Sequence, residues 1–158
     1  MMATEGNKSR DSEPLKKIIV VDDNEVLLRA WSRLLENHRC DCYTTTDPQT
    51  ALDLIELEKV QVLITDIVMP EMDGFELIRK AEQLNPDIRI ILTTGYPCDF
   101  SRIRLNMDTP NIHVLLKPYN DIREIRKFVD RVIEDDDTLD TEDSFKNPDD
   151  IQIHLWNL

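Results

Sequence analysis

The chain has 158 residues, a formal net charge of -13 and a pI of about 4.6. That length favours one domain with spare sequence at its ends. The charge repels nucleic-acid phosphates and anionic membrane surfaces, so direct binding to either is disfavoured. No apolar run is long enough to span a bilayer, and the polar opening MMATEGNKSRDSEP lacks the apolar centre of a secretory signal. A cytoplasmic location is the expectation.

Residues 1–15 read as a disordered segment closing on Pro14. Ile18, Ile19, Val20 and Val21 then form a β-branched run, a first buried strand that leads straight into Asp22, Asp23 and Asn24. The following EVLLRAWSRLLENH is helical, with Val26, Leu27, Ala30, Leu34 and Leu35 as its expected apolar face. Asp23 or Asn24 is placed to cap it. Cys40 to Thr46 reads as a second strand, and Asp47-Pro48 opens a second helix facing inward at Ala51, Leu52, Ile55 and Leu54. Of the three cysteines, Cys40, Cys42 and Cys98, none makes a C-x-x-C, which argues against a disulfide framework or zinc ribbon. His38, Cys40 and Cys42 are close enough in sequence for a metal site, but Cys40 and Cys42 at period two are better read as neighbours on one strand face.

Val60 to Asp66 is the third strand, and its apolar run Val62-Leu63-Ile64 suits a central parallel strand covered on both sides. Pro70 and Asp73-Gly74 mark a loop, and Phe75 to about Leu84 is a helix showing Phe75, Leu77, Ile78 and Ala81 inward. Ile88 to Leu92 is a fourth strand, ending in Thr93, Thr94 and Gly95. Residues Pro97 to Asn106 form a weak helix and Thr109-Pro110-Asn111 a turn. Ile112 to Leu116 is the fifth strand, ending in Lys117-Pro118. Ile122 to Ile133 is the last helix, with Ile122, Ile125, Phe128, Val129 and Val132 on one face. Strand and helix alternate about five times, which implies an α/β fold: a parallel sheet with helices on both faces. From Glu134 to Asp150 nine acids face one base, Lys146, so the tail at 135–158 is expected to stay extended. Its end, IQIHLWNL, is apolar enough to add to a sheet edge or dock on a partner, and an unstructured terminus fits its composition equally well.

The strand ends carry the chemistry. Asp22 and Asp23 follow the first strand, Asp66 the third, Thr94 and Gly95 the fourth, and Lys117 and Pro118 the fifth. All ends of a parallel sheet point one way, so these groups converge on one crevice. Three close carboxylates repel unless a cation joins them. An oxygen-only donor set suits Mg²⁺, or Mn²⁺, better than zinc. Lys117 offers a compact positive charge for a phosphoryl oxygen, Thr94 a hydroxyl donor, and Gly95 room for close backbone approach. The inventory fits phosphoryl transfer to a carboxylate nucleophile, Asp66. Each piece alone has a duller reading, such as helix capping for Asp22-Asp23 or an ordinary turn at Thr94-Gly95. Their joint fall at the ends of one sheet favours the chemical one.

With IIVVDDNE at 18–25, LITDIVMPEMDGFEL at 63–77, IILTTG at 90–95 and LLKPY at 115–119, the chain resembles a receiver domain of the two-component response-regulator family over residues 16–134. The resemblance implies a flavodoxin-like (βα)5 sheet of five parallel strands in the order 2-1-3-4-5. It implies that Asp66 takes a phosphoryl group from a histidine kinase or histidine phosphotransfer protein. It also implies Mg²⁺ held by Asp23 and Asp66, with Asp22 acting at least through water and the backbone carbonyl of Val68 completing the protein ligands. Thr94 and Lys117 would hold the phosphoryl oxygens, and Thr94 would shift toward them. Val114 stands where the family often has an aromatic residue, which separates this chain from the aromatic switch. Val68 and Tyr96 occupy the two positions that tune hydrolysis in the family. Neither is acidic or amide-bearing, so a long-lived phosphoryl group is expected.

The reading is of a switch rather than an enzyme. Phosphorylation would favour one arrangement of the loops and of the elements around the fifth strand, and a downstream protein would read it. The chain would be a monomer or weak dimer, either free-standing or cut from a larger kinase. An aspartyl-nucleophile phosphatase would want an acid where Val68 stands, and an unphosphorylated docking module would have no need of the acids, Thr94 and Lys117 together.

Overall fold

A computed structural model of the chain describes residues 14–36, 40–95, 111–119 and 121–134. Its elements are β1 (Lys16–Val21), α1 (Glu25–Leu35), β2 (Cys40–Thr45), α2 (Pro48–Glu58), β3 (Val62–Asp66), α3 (Gly74–Leu84), β4 (Arg89–Thr94), β5 (Ile112–Leu116) and α4 (Ile122–Glu134). The expectations for residues 1–13, His38, Tyr96, Cys98, the helix at 97–106, the turn at 109–110 and the tail at 135–158 lie outside the described residues.

The strands form one parallel five-stranded sheet in the order β2-β1-β3-β4-β5. Period-two alternation divides each strand between two cores. Ile19, Val21, Leu63, Ile90, Leu92 and Val114 pack under α2 and α3. Ile18, Val20, Val62, Ile64, Ile91 and Leu115 pack under α1 and α4. Val62, Leu63 and Ile64 are each 1% exposed or less, as a central strand covered on both faces requires. Cys40 and Cys42 both pack toward the second core, so they do share a strand face. Burial pushes both thiols up, Cys42 to about 12, which disfavours the thiolate a metal needs.

Two helix faces differ from the sequence expectation. In α1 the buried residues are Leu28, Trp31 and Leu35, while Val26 is 65% exposed. The first turns of this helix are apolar on several sides, so periodicity alone leaves its phase open. The large Trp31 ring settles it by packing edge-to-face on Tyr119 at 5.8 Å, and Leu28 and Leu35 follow at the spacings that share its face. In α4, Ile122 is 64% exposed because it opens the helix, ahead of the buried stretch Ile125, Phe128, Val129, Val132 and Ile133.

Candidate phosphoacceptor site

Asp66 is the last residue of β3 and Asp22 follows β1, and the neighbouring strands bring them to the same edge of the sheet. Asp22 is 2% exposed. One of its carboxylate oxygens accepts the Asn24 N–H at 2.8 Å, and the other faces the Lys117 Nζ at 3.1 Å. The Asp66 carboxylate accepts the Ile67 N–H at 2.9 Å and lies 3.6 Å from the same Lys117 Nζ. Asp23 is exposed and joins the group: one carboxylate oxygen each from Asp22, Asp23 and Asp66 lie within 4.8 Å of one another.

Helix capping does not occupy these acids. The cap of α1 is Asn24, whose side chain accepts from the Val26 and Leu27 N–H groups. Asp23 is thereby left facing the crevice, and the sequence alternative that had Asp22-Asp23 as mere caps loses its support. Asp73 caps α3 in the same way, accepting from the Glu76 N–H at 2.9 Å.

Lys117 is positioned by its backbone, whose N–H donates to the Thr94 carbonyl at 2.8 Å, and the following Lys117–Pro118 peptide is cis. Thr94 ends β4, is buried, and pairs with Leu116 in the register. Burial holds the Asp66 carboxyl above its usual value. Lys117 opposes that rise and the charge of Asp22 adds to it. A single ammonium shared by a buried and a partly buried acid, with a third acid alongside, leaves negative charge in excess, which is the condition a hard divalent cation relieves.

The sequence missed the reason for Gly74. A Cβ there would sit 2.3 Å from the Asp66 carbonyl oxygen, so the glycine lets the start of α3 close against the end of β3, and the Gly74 N–H donates to the Ile67 carbonyl at 2.9 Å. The Asp-Gly pair in sequence signals a turn but not this approach. Gly95 is the reverse case: among the described residues a Cβ there would meet only the Lys117 Cβ at 3.8 Å, an ordinary contact. Val68 is 52% exposed in the loop after β3. Val114 is buried in the core under α2 and α3.

A parallel sheet of this order, with an acid pocket and a lysine at its strand ends, is the arrangement of a receiver-type domain. Residues 18–130 match the response regulator receiver domain, and the chain belongs to that family. It is 30% identical over 122 residues to the response regulator receiver protein CpdR of Brucella abortus, covering 75% of this chain and 98% of CpdR. It is 28% identical over 118 residues to the alkaline phosphatase synthesis transcriptional regulatory protein PhoP of Bacillus subtilis, covering 75% of this chain and 48% of PhoP. The chain thus spans nearly all of one relative and about half of the other. Among solved structures it is similar to the signal receiver domain of an HD domain-containing protein from Pseudomonas fluorescens. There the TM-score is 0.67 and the identity 26%, over 77% of this chain and 96% of that one. No helix among the described residues is long and apolar enough to cross a membrane.

Proposed function

We propose that residues 16–134 form a phosphoacceptor domain in which Asp66 takes a phosphoryl group from a phosphohistidine on a histidine kinase or histidine phosphotransfer protein. The observation that carries this is the meeting of Asp22, Asp23 and Asp66 within 4.8 Å, with the Lys117 Nζ at 3.1 and 3.6 Å from two of them. A carboxylate oxygen of Asp66 attacks phosphorus, forming a P–O bond as the P–N bond breaks. The electron pair leaves with the imidazole, which takes up a proton. Lys117 offsets charge on the phosphoryl oxygens, and the Thr94 hydroxyl donates to one of them.

The donor set fits Mg²⁺ or Mn²⁺: Asp22, Asp23, Asp66 and the Val68 carbonyl would hold the ion, and among the described residues the cluster is of carboxylates alone. When bound, such an ion neutralises the carboxylates and offsets charge developing on the transferring group. Receiver domains are in general signalling modules rather than enzymes. The position two residues past Asp66 is the aliphatic Val68, which supports that reading here over a phosphatase with a second acid. The switched state would be read by a downstream protein.

The test is incubation with acetyl phosphate and Mg²⁺, followed by intact-mass measurement. The wild-type chain should gain one phosphoryl group and Asp66→Ala none. After donor removal the modification should persist for many minutes, because Val68 cannot orient an attacking water. An unmodified wild type ends the reading, and a half-life of seconds ends the claim of slow hydrolysis.

A further inference from the structure

The chemistry proposed above leaves Tyr119 unused. It follows Lys117-Pro118 and packs on the α1 and α4 side of the sheet, its ring edge-on to Trp31 at 5.8 Å and 76°. Its hydroxyl oxygen is buried and has no hydrogen-bond partner among the described residues. The Thr93 hydroxyl and the Trp31 side chain lie closest to that hydroxyl and Asp22 and Asp66 are near enough to act on it, yet each falls short of hydrogen-bond geometry. The Thr93 hydroxyl instead donates to the Thr65 carbonyl at 3.3 Å, which leaves its oxygen free to accept. A phenylalanine would fill the same space without burying an unpaired donor, an arrangement that folded chains avoid.

We propose that Tyr119 is a positioning residue of the phosphoacceptor site, whose hydroxyl donates to the Thr93 hydroxyl only in the phosphorylated state. The inference rests on the phosphoacceptor reading of Asp66. Thr93 stands opposite Asp66 in the β3–β4 register and next to Thr94 in the chain. At rest Lys117 bridges Asp22 and Asp66. A phosphoryl group on Asp66 draws the Lys117 ammonium and the Thr94 hydroxyl toward its oxygens. Lys117 is two residues from Tyr119, and Thr94 adjoins Thr93, so both partners of the missing bond are tethered to groups that move. Closing it completes a chain from Tyr119 through Thr93 to the Thr65 carbonyl. A donor unpaired in one state and paired in the other biases the equilibrium toward the second. The contact with Trp31 carries the change to α1.

The test titrates beryllium fluoride, a stable phosphoryl mimic, in saturating Mg²⁺ against the full chain. The chain has two tryptophans, so a Trp156→Phe background leaves Trp31 as the sole reporter. Tyr119→Phe should leave the resting Tm unchanged or higher. It should weaken the affinity for the mimic about three- to tenfold, the worth of one neutral hydrogen bond, and diminish the Trp31 response. In a Thr93→Val chain the same substitution should cost nothing further. An affinity within about twofold of the parent overturns the proposal, because it means no bond forms on activation. A resting Tm lowered by several degrees also overturns it, because the hydroxyl then has a structural role already. If the parent chain binds no mimic and takes no phosphoryl group from acetyl phosphate, the phosphoacceptor reading itself has failed. If the parent responds and Tyr119→Phe matches it, only the role of Tyr119 has.

Discussion

Asp66 is held in a state that disfavours its own charge. Burial raises its carboxyl pKa above the ordinary 3.8, Lys117 pulls it back, and Asp22 raises it further. The sign follows by linkage. With the folded value above the unfolded one, the folded chain binds more protons between the two, so this group's contribution to stability falls as pH rises from about 3.8 through the raised value. At neutral pH the ionised Asp66 is therefore a net cost, of the kind active sites carry in exchange for reactivity. Asp66→Asn keeps the shape and removes the charge, while Lys117 keeps its 3.1 Å partner Asp22. In metal-free buffer at pH 7 the substitution should raise Tm by a few degrees, and the gain should shrink as pH is lowered toward 4. Thermal melts across that range check it, and a lower Tm at pH 7 would show Lys117 outweighing burial.

At the scale of elements, the loop joining β3 to α3 is the tightest point of the site. The Cβ of an alanine at Gly74 would lie 2.3 Å from the Asp66 carbonyl oxygen, which is backbone and cannot swing aside. Gly74→Ala should cost about 2–3 kcal/mol, read as a lower denaturation midpoint, and should displace Asp66 enough to slow the proposed labelling. Among the described residues Gly95→Ala meets nothing closer than 3.8 Å, so its stability should stay within about 0.5 kcal/mol of the parent. The contrast shows what the sequence could and could not reveal. Strand ends are legible, because an apolar run stopping at Asp22, Asp66 or Lys117 fixes both position and direction once the sheet is parallel. The facing of α1 is not, because Val26, Leu27, Leu28, Ala30 and Trp31 give a helix apolar on several sides, and Tyr119, far along the chain, selects the phase. Gly74 and Gly95 both follow turn-like contexts and look alike in sequence. Only the spacing between two backbones separates a required glycine from a tolerated one. Likewise the preference of Lys117 for Asp22 over Asp66, 3.1 against 3.6 Å, is a matter of tenths of an ångström that no motif encodes.

At the scale of the whole molecule, among the described residues both cores and every proposed site residue lie between residues 16 and 134, while the stretch from Glu134 to Asp150 carries nine acids against one base. Stability and site chemistry should therefore separate from the tail, and the tail's charge should act only at a distance. Acetyl phosphate is an anion approaching a chain of net charge -13, so mutual repulsion slows encounter at low ionic strength. Truncation to residues 16–134 should leave a cooperative thermal transition and intact phosphoryl uptake at Asp66. Under saturating Mg²⁺ it should speed that uptake at low salt. The difference should fade near 0.15 M salt, where charges are screened beyond about 8 Å. Intact-mass time courses at the two salt concentrations measure both effects. A truncated chain that melts without cooperativity, or stays unlabelled where the full chain is labelled, would place part of the fold or of the site in the removed ends.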